Sequence, residues 1–190
     1  MYEKPLRDEP VAVELHNTLF AVAGQPVDGL ADPGAARAWL AGIDGRLPSG
    51  GAGGGPRPDD LVALREVVRE ALRAVADGTS PSRSSIEAIN RHSTRAPQTT
   101  VARWRRGGPP VSEIDFGRAS RADVVLSALA ADAIDLLTGP RALGLRACGA
   151  PGCVLIFLKD HPRREWCSSA CGNRARQARH YRRTHPLCGR

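Results

Sequence analysis

Read as a pattern of apolar and polar positions, most of the chain is helical. In "RDEPVAVELHNTLFAVAG" the residues Val11, Leu15, Leu19 and Val22 recur at helical spacing, Asp8 is placed to cap, Pro10 falls in the first turn and Gly24 ends the run. "ADPGAARAWLAGIDG" repeats the grammar, with Asp32 as cap, Pro33 at the first helical position, an apolar face of Ala36, Trp39, Leu40 and Ile43, and Gly45 as stop. The clearest periodicity lies in "PDDLVALREVVREALRAVADG", where Leu61, Leu64, Val68, Leu72 and Val75 line one face. A short helix is expected from Ser84, whose spacing to Glu87 is that of a capping box. A longer one follows in "SRADVVLSALAADAIDLLTGP", stopped by Gly139 and Pro140.

Two segments break the helical period. "PSGGAGGGPRP", residues 48–58, is too rich in glycine and proline and too poor in apolar side chains to pack, and reads as an exposed loop. Without a G-K-[ST] sequence or a preceding strand it is not a phosphate loop. In "TTVARWRRGGPPVSEIDF" a period of two, through Thr100, Ala102 and Trp104 and then Ser112, Ile114 and Phe116, predicts a hairpin turning at Gly107 to Pro110 and packed on the helices.

Composition narrows the class. With 42% hydrophobic and 25% charged residues the chain should fold rather than remain disordered. No run approaches the roughly 20 apolar residues of a membrane helix, and "MYEKPLRDEP" lacks a signal-peptide core, so a cytoplasmic protein with no membrane partner is expected. In that reducing compartment clustered cysteines point to metal binding or redox chemistry rather than to disulfides.

The cysteines make the choice. Cys148, Cys153, Cys167 and Cys171 form C-x4-C-x13-C-x3-C, two close pairs that can each supply one edge of a tetrahedron around a single Zn²⁺. Gly149, Pro151 and Gly152 suit a tight knuckle. "VLIFLKDHPRREWC" then predicts a strand, a turn at Asp160 to Pro162 and a return strand reaching Cys167. Ser168 or Ser169 can cap a helix that carries Cys167 and Cys171 one turn apart. Knuckle, hairpin and helix are a treble-clef-like layout. Buried free thiols would not need paired spacing, a redox switch built on the same cysteines is the competing reading, and four thiolates leave no open position for a catalytic zinc. Cys188 is left as a spare thiol, and His161, His180 and His185 as surface or phosphate-contacting residues.

Charge singles out the same region. Residues 146–190 hold ten Lys/Arg against two Asp/Glu, a net of +8, whereas residues 1–145 hold 17 against 18, a net of −1. A neutral body with a basic end is the footprint of a module that meets a polyanion. On a helical wheel Arg176, Arg179, His180 and Arg183 share one sector, roughly opposite Cys171 and Ala178, while Arg174 falls near Cys171, where a structural role such as bonding knuckle carbonyls is expected.

"RREWCSSACGNRARQARHYRR" resembles the CGNR zinc finger, whose four letters stand here as Cys171, Gly172, Asn173 and Arg174, and "LRACGAPGCVLIFLKD" is similar to that family's first cysteine pair and strand. "ELHNT" and "AARAWL" resemble the start of the ABATE domain that precedes this finger in bacterial proteins. The resemblance implies zinc ligands at Cys148, Cys153, Cys167 and Cys171 and a stress-induced, DNA-binding transcription regulator. Its domains would be an α+β, mostly helical ABATE-like domain with a β-hairpin over residues 1–142, for sensing or dimerisation, and the finger over 143–190.

The expected function is therefore a zinc-dependent DNA-binding regulator, with Arg176, Arg179, His180, Arg182 and Arg183 facing DNA and with Gly172, Asn173 and Arg174 as structural parts of the motif. One finger offers a small interface, so a homodimer is expected, with a small-molecule or protein signal acting on the helical domain. The alternative is a structural zinc module that mediates protein or RNA interaction without reading a DNA sequence. Enzymatic activity is not expected: the only polar cluster, Glu14, His16 and Asn17, is spread over different faces at helical spacing.

Overall fold

The structure, a computed structural model, describes residues 8–22 and 24–185, so Cys188 lies outside the described residues. In chain order these residues form α1 (Val11–His16), β1 (Leu19–Val22), β2 (Gln25–Asp28), α2 (Pro33–Ile43), α3 (Pro58–Ala76), α4 (Arg83–Ser93), β3 (Thr99–Arg103), β4 (Val111–Asp115), α5 (Arg121–Thr138), β5 (Leu145–Ala147), β6 (Ile156–Leu158) and α6 (Ser169–Thr184). The strands pair only as three antiparallel ribbons, β1 with β2, β3 with β4 and β5 with β6.

The core is helical. Leu15 of α1, Leu61, Leu64 and Leu72 of α3, and Leu126, Leu129 and Leu136 of α5 are fully buried in one cluster, which Trp39 and Ile43 of α2 and Ile89 of α4 complete. Each fully buried leucine contributes on the order of 2 kcal/mol of transfer free energy, which makes this cluster the main source of stability. Leu145 and Ile156 belong to it as well, so the β5–β6 ribbon is rooted in the helical core. Inside the same body Arg65, 3% exposed, grips the Asp28 carboxylate with both Nη atoms, and this bond holds Asp28 below its ordinary carboxylate range.

The first predicted helix is only half a helix. It stops at His16, and Leu19 to Asp28 form a ribbon with Val22 opposite Gln25 and Gly24 at φ +81 in its turn. Leu19 and Val22 fit a helical period, but Asn17 leaves the helix to bond another part of the chain, and Gly24 and Pro26 suit a hairpin. Asp8 lies outside the helix at φ +56. The helix starts after Pro10, and the Ala12 N–H finds a cap from a distance in Asp132 of α5, at 2.8 Å.

The α4 cap is Ser82 rather than Ser84: the Ser82 hydroxyl accepts from the Ser85 N–H at 3.2 Å, and Glu87 instead pairs with Arg83 one turn earlier. The glycine-rich segment is exposed as expected but fixed in place, because Arg121 N–H donates to Ala52 O at 2.8 Å. Gly51 sits at φ +79, where a Cβ would come within 2.7 Å of the Arg121 nitrogen. The expected β3–β4 hairpin forms, with Arg103 opposite Val111, Thr99 opposite Asp115 and residues 104–110 connecting them, but its strands stay exposed or half-buried rather than packing on the helices. Only its base is anchored, by Phe116 against Ala96 and Val124, while Trp104 is 79% exposed. On its uncharged face Thr100, Ala102 and Ser112 are small and Ile114 is the one large apolar side chain, which gives little area for burial.

Candidate metal centre and nucleic-acid interface

The metal centre is assembled by a ribbon and a helix. β5 runs into Cys148 and β6 returns beside it, pairing Leu145 with Leu158 and Ala147 with Ile156, and the Cys148 N–H closes the loop on Leu155 O at 2.9 Å. Within that loop the Cys153 N–H bonds Ala150 O at 3.0 Å, and Gly152 takes φ +71, a conformation open to glycine at no steric cost. The first cysteine pair thus occupies the tip of the ribbon.

The expected return strand before Cys167 is absent. The partner of β6 is β5, which precedes the knuckle, and residues 159–168 run as bends and irregular chain with a turn at Pro162 and Arg163. The segment "HPRREW" has neither alternation nor apolar content to hold a strand. Arg164 stitches it down instead, donating to Leu158 O at 3.0 Å and laying its guanidinium over Phe157, 4.9 Å from the ring centre.

The second pair sits at the head of α6, where the Ser168 hydroxyl accepts from the Cys171 N–H at 3.2 Å. All four sulfurs lie within 4.8 Å of one another; Cys153 to Cys167 is 3.7 Å, Cys167 to Cys171 3.4 Å and Cys171 to Cys153 3.8 Å. A tetrahedron with Zn–S bonds of about 2.3 Å requires sulfurs about 3.8 Å apart, so the donor set fits zinc in number, type and spacing. Four thiols this close cannot all ionise on their own: hydrogen bonds from Cys153 and Cys167 hold Cys148 far below its ordinary value, and Cys153 in turn is pushed up to about 11, first by its bond to Cys148. A divalent cation removes that conflict, since it stabilises every thiolate at once. Cys148, Cys167 and Cys171 also form most of a small core with Leu155, Phe157 and Ala175.

The motif residues have separate tasks. Gly172 is buried against Trp166, and a Cβ there would stand 2.9 Å from the indole Cδ1, so the ring requires a glycine. Asn173 is exposed and its Oδ1 accepts from Arg176. Arg174 does lie on the cysteine side, but its Nη2 reaches the Cys171 sulfur at 3.3 Å rather than knuckle carbonyls. A guanidinium so placed lowers the charge density of a thiolate.

Beyond this point α6 leaves the body. Cys171 and Ala175 face inward and Ala178 is half-buried, while Arg176, Arg179, His180, Arg182 and Arg183 are exposed. Among the described residues none of these five pairs with a carboxylate. Arg176 is held by Asn173, and Arg179 lies 6.0 Å from the Trp166 ring. His161 and His185 are also exposed.

Sequence reasoning missed the residues that hold the centre to the body. Asn17, 1% exposed, donates to Ile156 O at 3.0 Å and accepts from Ile156 N–H at 3.1 Å. Glu9, 2% exposed, accepts from Leu158 N–H at 2.9 Å and pairs with Arg164. Glu14 and His16 are buried beside them, Glu14 accepting from the Glu9 N–H at 3.1 Å. The only available signal was the polar density of "ELHNT" in an otherwise apolar stretch.

A four-sulfur centre locked to a helical body, with a helix leading away from it whose outer arginines meet no carboxylate among the described residues, defines a zinc-finger protein. Residues 9–140 match the ABATE family, described as "Putative stress-induced transcription regulator", and residues 145–184 match the CGNR zinc finger. The ABATE match spans well over half of the chain, and the protein belongs to that family. Its finger binds one Zn²⁺. No match was found among curated proteins. No described helix is long and apolar enough to cross a membrane.

Proposed function

We propose that the protein is a zinc-dependent, DNA-binding transcription regulator in which α6 lies against the duplex. The observation that supports this most is the state of its arginines. Five exposed basic side chains on one projecting helix have no carboxylate partner among the described residues, although ion pairs satisfy many of the arginines of the body. Such a helix offers phosphate contacts and bidentate reach to guanine O6/N7, and zinc fixes its base so that little ordering entropy is lost on binding. In this reading the protein is not an enzyme, acts in the cytoplasm as a homodimer, and receives its stress signal on the helical body.

The test pairs zinc content by elemental analysis with duplex selection from a random pool. One zinc per chain, an enriched sequence and loss of the complex on chelation support the reading. Zinc present with binding indifferent to sequence and to chelation overturns it, and favours a module for protein or RNA contacts.

A further inference from the structure

The β3–β4 hairpin has no part in the core or the metal centre. Beyond the base at Phe116 its strand residues are exposed or half-buried and pair only with each other as strands, and a lone two-stranded ribbon is at best marginally stable in water. This one nevertheless has an ordered tip. The Gly108 N–H donates to Arg105 O at 3.1 Å, Gly107 takes φ +86 at the third position of that turn, and the Trp104 indole N–H bonds Gly108 O at 2.9 Å, which lays the ring across it. Arg106 is left at the corner of the turn.

Charge is sorted along the arm. Glu113 and Asp115 lie on the strands, where they pair with Arg103 and Arg105, whereas residues 104–110 carry Arg105 and Arg106 and no acid. Arg106 makes no ion pair among the described residues. Trp104, at 79% exposure, is a large aromatic surface beside it. A preorganised turn that presents Arg106 and an open indole, with Glu113 taken up by Arg103 and Arg105, suits a phosphodiester backbone rather than an acidic protein groove, because the flat ring can lie against the sugar while the Arg106 guanidinium takes the phosphate.

We infer that the Trp104–Arg105–Arg106 tip is a second nucleic-acid contact, gripping duplex DNA separately from α6. The inference rests on the proposed function and enlarges the small interface of a single helix. In salt titrations of a labelled duplex with the zinc-loaded full chain, Arg106→Ala should weaken binding several-fold near 0.1 M salt and flatten the log K against log salt slope by about 0.9, the share of one phosphate, because Arg105 already pairs with Glu113. Trp104→Ala should weaken binding, and iodide quenching of Trp104 should fall when duplex is added. Since both substituted side chains are exposed, unchanged melting temperatures confirm that folding is intact. Arg179→Ala/Arg183→Ala is the companion variant. If it loses affinity and slope while the tip variants bind like wild type, the tip inference is overturned and the function of α6 stands. If wild type binds no duplex, both fall. A concentration-dependent dimer that Trp104→Ala abolishes, with the duplex slope unchanged, also overturns the inference and assigns the arm to pairing between copies.

Discussion

Asn17 of the helical body holds both backbone groups of Ile156 in the finger, donating to its carbonyl at 3.0 Å and accepting from its N–H at 3.1 Å. One side chain thereby acts as an extra strand residue for β6 and completes a ribbon that has only one true partner. Replacing it by leucine leaves two buried backbone groups unsatisfied, at about 1–3 kcal/mol each. Asn17→Leu should therefore lower the melting temperature of the zinc-loaded protein by roughly 5–15 °C, and zinc should pass more readily to a competing chelator, because metal and Asn17 order the same ribbon. A melt and chelator competition indistinguishable from wild type would show that the finger folds without this bond.

Glu9 and Arg164 form the second fastening. The carboxylate is buried and bonds the Leu158 N–H as well as the guanidinium, so removing Arg164 alone strands a charge away from water. Arg164→Ala and Glu9→Gln should each destabilise. The double variant should cost less than their sum, with a coupling of about 1–3 kcal/mol in urea unfolding. Strict additivity would mean that the pair contributes nothing as a pair.

Metal removal should divide the molecule unevenly. The small cluster around the sulfurs includes all four ligands, whereas the main cluster contains none of them. A lone helix the length of α6 is marginal in water, and this one has few apolar residues to hold it. Chelation, or Cys167→Ser, should remove the circular-dichroism signal of about one helix and leave the rest to melt as a cooperative unit. Loss of all helicity on chelation would mean that the body cannot fold without its finger.

How far the sequence could be read follows from the range of each signal. The cysteine spacing, the α2 cap, the apolar face of α3 and the inward side of α6 were legible, because each depends on residues within a few turns of one another. The end of α1 was not, since Leu19 and Val22 satisfy a helical period and what stops the helix is the demand of Ile156, 139 positions later, for Asn17. The partner of β6 was misjudged for the same reason: "LRA" is too short to announce a strand until β6 lies beside it. The packing of the β3–β4 hairpin failed differently, because alternation reports a ribbon but not whether anything covers it.

Gly172 sets two known effects against each other. Alanine would gain up to about 1 kcal/mol of helix propensity, yet its Cβ would press to 2.9 Å from Trp166, and overpacking of this kind costs about 1–3 kcal/mol. The clash should win. Gly172→Ala is expected to lower stability by roughly 1 kcal/mol and to shift the Trp166 fluorescence, and smaller Trp166 variants should tolerate it. A stabilised Gly172→Ala protein with unchanged fluorescence would show that the indole moves aside freely.

His16 supplies a pH dependence with a definite sign. It is 1% exposed, its Nδ1 lies 3.0 Å from Asn17 Oδ1, and since an amide oxygen only accepts, the Nδ1 carries the proton of a neutral ring. Burial pushes its pKa down to about 3, helped by the positive charge of Arg69. The unfolded chain takes up this proton near 6.5 and the folded one only near 3, so stability is fully present above pH 6.5 and is lost as pH falls through that window. The slope approaches about 1.4 kcal/mol per pH unit, the value for one proton. Protonation of the cysteines adds its own acid sensitivity, which wild type and His16→Gln share. The difference in slope between the two proteins in urea unfolding from pH 6.5 to 4.5 therefore isolates His16. Wild type should be steeper by close to one proton; parallel lines would mean that the ring can charge without leaving its place beneath the finger.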